Sequence, residues 1–216
     1  MIYPSLKIKV WGEYACFTRP EMKAERVSYS VMTPSAARGI LEAIFWKPEF
    51  TWEIKKIEVL NPIRFFSIVR NEVSSKMSKR SAAATGGYYY AEEDRAQRHT
   101  LALKDVAYII HADIRVKNGV DENPAKFRDQ FRRRLKRGQY FHHPYFGTRE
   151  FPVKFSLPDG SEKPLSSNED LGRMLLDIQY DKDKSGRGKP VFFDARLENG
   201  VLNVPIMPEP EAKEVL

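Results

Sequence analysis

Apolar and basic positions alternate through LKIKVW (6–11), the period-two pattern of a half-buried strand, and Gly12 interrupts it. A polar loop covers residues 14–30, and VSYSVM reads as a short extended piece at its end. The period then becomes helical. Thr33 is a good N-cap, Pro34 suits the first helical position, and Ala37, Ile40, Leu41, Ile44 and Phe45 share one face until Lys47-Pro48 ends the run. TWEIKKIEVL (51–60) and IRFFSIVR (63–70) predict two strands parted by Asn61-Pro62. Residues 72–100 are polar. Lys76, Lys79 and Arg80, then Gly86-Gly87 and Tyr88–Tyr90, predict a mobile inserted β-hairpin, or thumb, over 72–98. LKDVAYIIHADIRV (103–116) predicts a long strand.

A second helix follows. Asn123 can cap it, Pro124 occupies the first turn and Gly138 ends it, while Phe127, Phe131 and Leu135 form one apolar stripe. Lys126, Arg133, Arg134 and Arg137 fall away from that stripe, and Arg128, Arg132 and Lys136 flank it. Tyr140, Phe141, His142, His143, Tyr145 and Phe146 come directly after, and REFPVKFSL (149–157) predicts a further strand.

The order β-α-β-β-insert-β-α-β predicts an α+β chain with an RRM or ferredoxin-like N-terminal domain over 1–157. Short strands LLDIQY, PVFFDAR and VLNVP between Gly- and Ser-rich turns predict a small C-terminal antiparallel sheet over 158–205, with an acidic tail over 206–216. No repeat stands out.

Net charge of +7 matters here because it is concentrated in residues 126–137 and beside stacking-capable rings, the footprint of a protein that meets a polyanion. One cysteine, Cys16 in the apolar run YACF, excludes an intrachain disulfide and a cysteine zinc site, and reads as a buried thiol. No apolar run is long enough to span a membrane and the N-terminus has no signal-like apolar core, so the expected location is the cytoplasm.

The chemistry narrows by what is missing. No P-loop, dinucleotide fingerprint or Gly-x-Ser-x-Gly occurs, and the four histidines have no metal-ligand spacing, so neither a metal nor a cofactor is expected. RNA carries its own nucleophile, the 2′-OH, and needs only proton transfer and charge stabilisation to be cut. Lys126, His142 and His143 are candidates for that chemistry; as a His-His-Pro loop the histidines are equally read as polar surface, and binding is the stronger reading of the residues.

Three segments resemble a known family: WGEYACFTRPEMKAERVSYSVMTPSAARGILEAIFWKP, then VRNEVSSK, then NPAK followed by RRRLKRGQYFHHPYFGTREFP. Together they look like the CRISPR-associated Cas-five (Cas5) family of type I-C systems, the Dvulg subtype, over about Leu6–Pro205. The resemblance implies a metal-independent endoribonuclease that cuts precursor CRISPR RNA within repeats, leaves a 2′,3′-cyclic phosphate, and stays on the crRNA 5′ handle. It implies as partners the backbone and large subunits of a surveillance complex, and target DNA through that complex. Family members with a defined nuclease centre carry a tyrosine before the Trp/Tyr-Lys-Pro and a Lys-His early in the second helix. Those positions are Phe45 and Lys126-Phe127 here.

Two readings follow. In one, Lys126 with His142, His143 and Tyr140 performs cleavage. In the other, the chain is a non-catalytic handle-binding subunit. Both assign RNA contacts to Arg19, Lys23, Arg26, Tyr29, Arg38, Arg70, Arg132, Arg133, Arg134, Arg137 and Arg149, with Tyr29 and Tyr140 as stacking rings. An RRM-type protein outside CRISPR is disfavoured, because the strands lack the aromatic RNP signature.

Overall fold

The computed structural model describes residues 3–22, 24–75, 78, 80, 83, 86, 88, 90–180 and 188–207. The fold is α+β. Strands β1 (Leu6–Ala15), β2 (Arg26–Val27), β3 (Phe50–Val59), β4 (Phe65–Val73), β5 (Arg95–Val116), β6 (Lys154–Ser156), β7 (Glu169–Tyr180), β8 (Gly188–Glu198) and β9 (Val201–Asn203) join one sheet. Helices α1 (Pro34–Ile44) and α2 (Pro124–Arg137) pack on it. The path is β6-β1-β5-β3-β9-β8-β7, with β2 and β4 also paired to β5. All pairings are antiparallel except β2 with β5.

Alternation sets which side of the sheet is core. Ile8, Ile110 and Ile57 are in register and buried, and they pack in one cluster with Ile40 and Ile44 of α1 and Phe127 and Phe131 of α2. Each such side chain contributes about 1.5–3 kcal/mol by leaving water. Lys9 lies on the opposite face, where its ammonium meets Glu162 at 3.1 Å. The segment after β6 thus runs past β1 and then docks on β3, where the Leu165 N–H donates to the Val59 carbonyl at 2.9 Å. Part of the face that a sheet-platform RNA binder leaves open is therefore occupied.

Several boundaries differ from those expected. β1 continues through Gly12 to Ala15, because the missing side chain lets Phe146 lie against the strand: a Cβ there would sit 2.9 Å from its ring. α1 ends at Ile44, and Phe45 is already extended. The strand expected over 149–157 is reduced to Lys154–Ser156. The inserted hairpin starts earlier than its polar composition suggests, since β4 pairs with the first half of β5 from Phe65↔Leu103 to Val73↔Arg95. Lys76 and Lys79 fall outside the described residues, as do 208–216 of the expected acidic tail. The C-terminal strands are longer than anticipated. β7 and β8 form a long hairpin, and β9 bonds both β8 and β3, so these strands share a sheet with the rest. Among the described residues no helix is long and apolar enough to cross a membrane.

Candidate nucleic-acid interface

α2 is built as its sequence dictates. The Asn123 side chain accepts from the Ala125 N–H at 2.9 Å, and Gly138 takes the left-handed conformation (φ 62°) while its N–H donates to the last-turn carbonyls. Phe127, Phe131 and Leu135 bury. At 3.6 residues per turn, Lys126, Arg133 and Arg137 then align in one row along the helix, with Arg134 between that row and the core. The Arg134 guanidinium donates to the Ile44 carbonyl at 2.6 Å and lies 5.2 Å from the Phe45 ring centre, which turns the row toward the end of α1. Arg133 and Arg137 are exposed with no acidic partner among the described residues. Lys126 pairs with Glu122 at 2.9 Å and Arg132, on the far flank, lies 3.4 Å from Asp129.

The chain leaving α2 is pinned to α1. The N–H groups of Phe141 and His142 both donate to the Ala43 carbonyl, at 2.9 and 3.2 Å. The next turn is pinned to β1, with the Cys16 N–H donating to the Phe146 carbonyl at 3.0 Å. Gly147 is required at φ 80°, and a Cβ there would lie 2.0 Å from the Cys16 carbonyl oxygen. This fixes a groove of about 770 Å³ lined by His142, His143, Tyr145, Arg149, Glu150 and Pro152. A cleft of about 300 Å³ at the start of α1, with the hydroxyls of Thr18, Thr33 and Ser35, shares His142 and Tyr145 with it.

Within the groove, His143 Nδ1 is 2.9 Å from the Pro144 carbonyl oxygen. A carbonyl only accepts, so Nδ1 carries a proton, and the tautomer this contact selects has its lone pair on Nε2. The Tyr140 ring stands edge-on to His143 at 5.0 Å and is exposed. Arg149 is exposed and has no acidic partner among the described residues. Glu150 is neutralised by Arg70, which hydrogen-bonds it, and by Arg26 at 3.5 Å. Burial pushes the Glu150 carboxyl up, but a backbone hydrogen bond and Arg70 outweigh this and hold it below the ordinary carboxylate range.

The arginines proposed from sequence therefore divide. Arg133, Arg134, Arg137 and Arg149 gather around the end of α2 and the groove. Arg26 and Arg70 are committed to Glu72 and Glu150. Arg38, expected to be exposed for phosphate, is held by Asp177 and Glu42 at 2.7 and 2.8 Å. Arg19 lies over the Tyr29 ring at 4.4 Å, and that ring is buried rather than open to a base. Lys23 lies outside the described residues. Lys126, on the first turn of α2, is roughly 16 Å along the axis from Arg137 at 1.5 Å per residue, and it is not among the residues that line the histidine groove. Phe45 and Phe127 are each 1% exposed and touch the same ring, Phe50, at 5.4 and 5.1 Å between centres. Tyr145, one of the rings that follow α2 in sequence, lines both the groove and the cleft, though the sequence gives it no specific role.

Fold and site define an α+β protein with a cationic helix row leading into a histidine-lined groove. The family model of Cas5d, described as CRISPR-associated protein (Cas_Cas5), matches residues 5–205. The chain belongs to the Cas5d family. It is 49% identical over 93% of its length to the CRISPR pre-crRNA endoribonuclease Cas5d of Thermus thermophilus, covering 91% of that protein. It is 50% identical over the same share to the CRISPR pre-crRNA endoribonuclease Cas5d of Mannheimia succiniciproducens, covering 94% of it. A solved structure of a CRISPR-associated protein shares the fold, with a TM-score of 0.69 at 24% identity over 98% of both chains.

Proposed function

We propose that this protein is an endoribonuclease that cuts precursor CRISPR RNA within its repeats, without a metal, and then stays on the 5′ handle. It does so as a subunit of a type I-C surveillance complex, beside backbone and large subunits, in the cytoplasm. The observation that carries this reading is its near half identity, over most of its length, to two proteins named as pre-crRNA endoribonucleases. The strand order β6-β1-β5-β3, with one helix in each crossover, supports reading residues 1–157 as ferredoxin-like, with 158–205 as an annex extending the sheet.

The groove supplies the chemistry. The bare Nε2 of His143 takes the proton of the RNA 2′-OH, and the 2′-oxygen attacks the adjacent phosphorus. The bond from phosphorus to the 5′-oxygen breaks, and that oxygen takes a proton from the imidazolium of His142. The products are a 2′,3′-cyclic phosphate and a 5′-hydroxyl. Arg149 balances the charge that builds on the phosphoryl oxygens. Tyr140 holds the His143 ring edge-on, and Lys126 neutralises a second phosphate further along α2.

A second reading has its own observation. Phe45 and Phe127 fill the positions of two proton-transfer groups with buried rings, which favours a handle-binding subunit that does not cut. Purified protein with cognate repeat RNA in EDTA decides between them. The first reading expects one cut ending in a cyclic phosphate, blocked by a deoxy substitution at the cleaved nucleotide. Tight binding with intact RNA over hours establishes the second.

A further inference from the structure

Phe141 is 81% exposed, the most exposed large apolar side chain among the described residues, and Trp46 is 56% exposed. Neither position is loose. Phe141 hangs by its N–H from the Ala43 carbonyl, and Trp46 follows the extended cap of the same helix. The last turn of α1 therefore holds both rings out into solvent. The same turn receives Arg134 of α2, through the Ile44 carbonyl. The row ending in Arg133 and Arg137 runs to this point.

Two flat rings displayed by fixed backbone at the end of a cationic track match the needs of a flexible polyanion with π-faces. The track holds successive phosphates, and the rings take bases that are not paired. A protein partner that wanted an apolar contact would meet the unneutralised charges of Arg133 and Arg137 beside it, which its own surface would have to offset.

We propose that Trp46 and Phe141 form a stacking platform for unpaired nucleobases, the single-stranded part of the RNA lying with its backbone along Arg133 and Arg137. This rests on the RNA-binding reading above and adds a stacking surface at the edge of the histidine groove, where the Phe141 ring stands edge-on to His142 at 5.8 Å between centres.

The test is equilibrium binding of a single-stranded repeat RNA to the full chain. Phe141→Ala and Trp46→Ala should each weaken binding roughly tenfold, with the log–log salt dependence unchanged, since stacking releases no counterions. Because Phe141 is almost wholly exposed, Phe141→Ala should leave the melting temperature unchanged, whereas Trp46→Ala, which removes a ring nearly half buried, should lower it slightly. Phe141→Tyr should restore affinity and Phe141→Leu should not. An RNA carrying an abasic nucleotide at the contacted position should bind the wild type as weakly as the Ala variant, and bind the Ala variant no worse. Unchanged affinity in both Ala variants, with RNA binding otherwise intact, overturns the platform and leaves the RNA-binding reading standing. Leu working as well as Tyr assigns the patch to a protein partner and also overturns it. Failure of the wild type to bind RNA at all removes both.

Discussion

Arg38 and Asp177, 139 positions apart, form a two-pronged pair in which Nε and Nη2 each lie 2.7 Å from a carboxylate oxygen. The pair ties the middle of α1 to the C-terminal hairpin. Burial alone would lower the guanidinium pKa, but Asp177 and Glu42 more than reverse that, so the charge is fixed and already neutralised. Arg38→Ala should cost about 1–3 kcal/mol of stability, as a charge-assisted bond leaving Asp177 unpaired does. It should leave the salt dependence of RNA binding unchanged. Urea denaturation and a salt titration measure the two effects separately, and a flattened salt slope would return Arg38 to the phosphate contacts.

Arg133 and Arg137 carry the opposite expectation. Neither has an acidic partner among the described residues, and both sit on one row of α2. Replacing both by Glu should leave the melting temperature nearly unchanged and weaken RNA binding. The slope of log affinity against log salt should fall by roughly 0.7 to 0.9 for each phosphate that the helix no longer neutralises. An unchanged slope would make the row an ordinary solvated face.

These two cases mark how far the sequence can be read. α2 is legible because its cap, stripe and stop are local: Asn123, Pro124, Phe127, Phe131, Leu135 and Gly138 all act within a few residues of one another. Arg38 looks free in the sequence because its partner lies on β7, and a pairing across 139 positions leaves no local trace. Tyr29 misleads for the same reason. Its burial follows from a bond between its N–H and the Phe17 carbonyl at 2.9 Å, and from Arg19 lying on its face. The groove histidines stand out by composition, but only the fold shows that both line one groove with Tyr145 and Arg149. The expected strand ends fail where tertiary contact overrides propensity, as at Gly12.

Acid should destabilise the fold in two stages. His111 is 4% exposed, and its Nε2 lies 2.8 Å from Glu58 Oε1, off the line of a good hydrogen bond. Burial, with Lys56 and Lys7 facing the ring, holds its pKa below the ordinary 6.5 despite Glu58. A histidine harder to protonate when folded takes its proton in the unfolded chain first. Its contribution is therefore complete above about pH 6.5 and falls as pH drops below that value. Burial pushes Glu58 up, but Lys56 and His111 outweigh it, and its lowered pKa makes a second loss begin below about pH 4.5. Melting temperature against pH should show both stages. His111→Gln should remove the upper stage and keep the lower, which Glu150 and Glu162 share because their pKa values are also depressed. A His111→Gln profile identical to the wild type between about pH 6.5 and pH 5 would exclude His111 as the source.

Cleavage distinguishes the two ends of α2. His143 has its tautomer set by Pro144, which puts the lone pair of the neutral ring on Nε2, whereas Lys126, on the first turn of α2, is paired to Glu122. If the groove performs the reaction, His143→Ala should lower the single-turnover rate by about 10² to 10⁴, the range for losing a general base. Affinity should change little. Lys126→Ala should mainly weaken binding, with a rate at saturating protein within a few fold of the wild type. His142→Ala should also slow cleavage with little change in affinity, since the proton it gives to the 5′-oxygen is then missing. The converse pattern, a large rate loss in Lys126→Ala and none in His143→Ala, would move the reacting phosphate to the start of α2. There the buried rings of Phe45 and Phe127 offer no proton, so Lys126 would have to act with water alone. The deoxy substitution serves as the internal control: it removes the nucleophile at either end, so only the protein variants carry the choice between them.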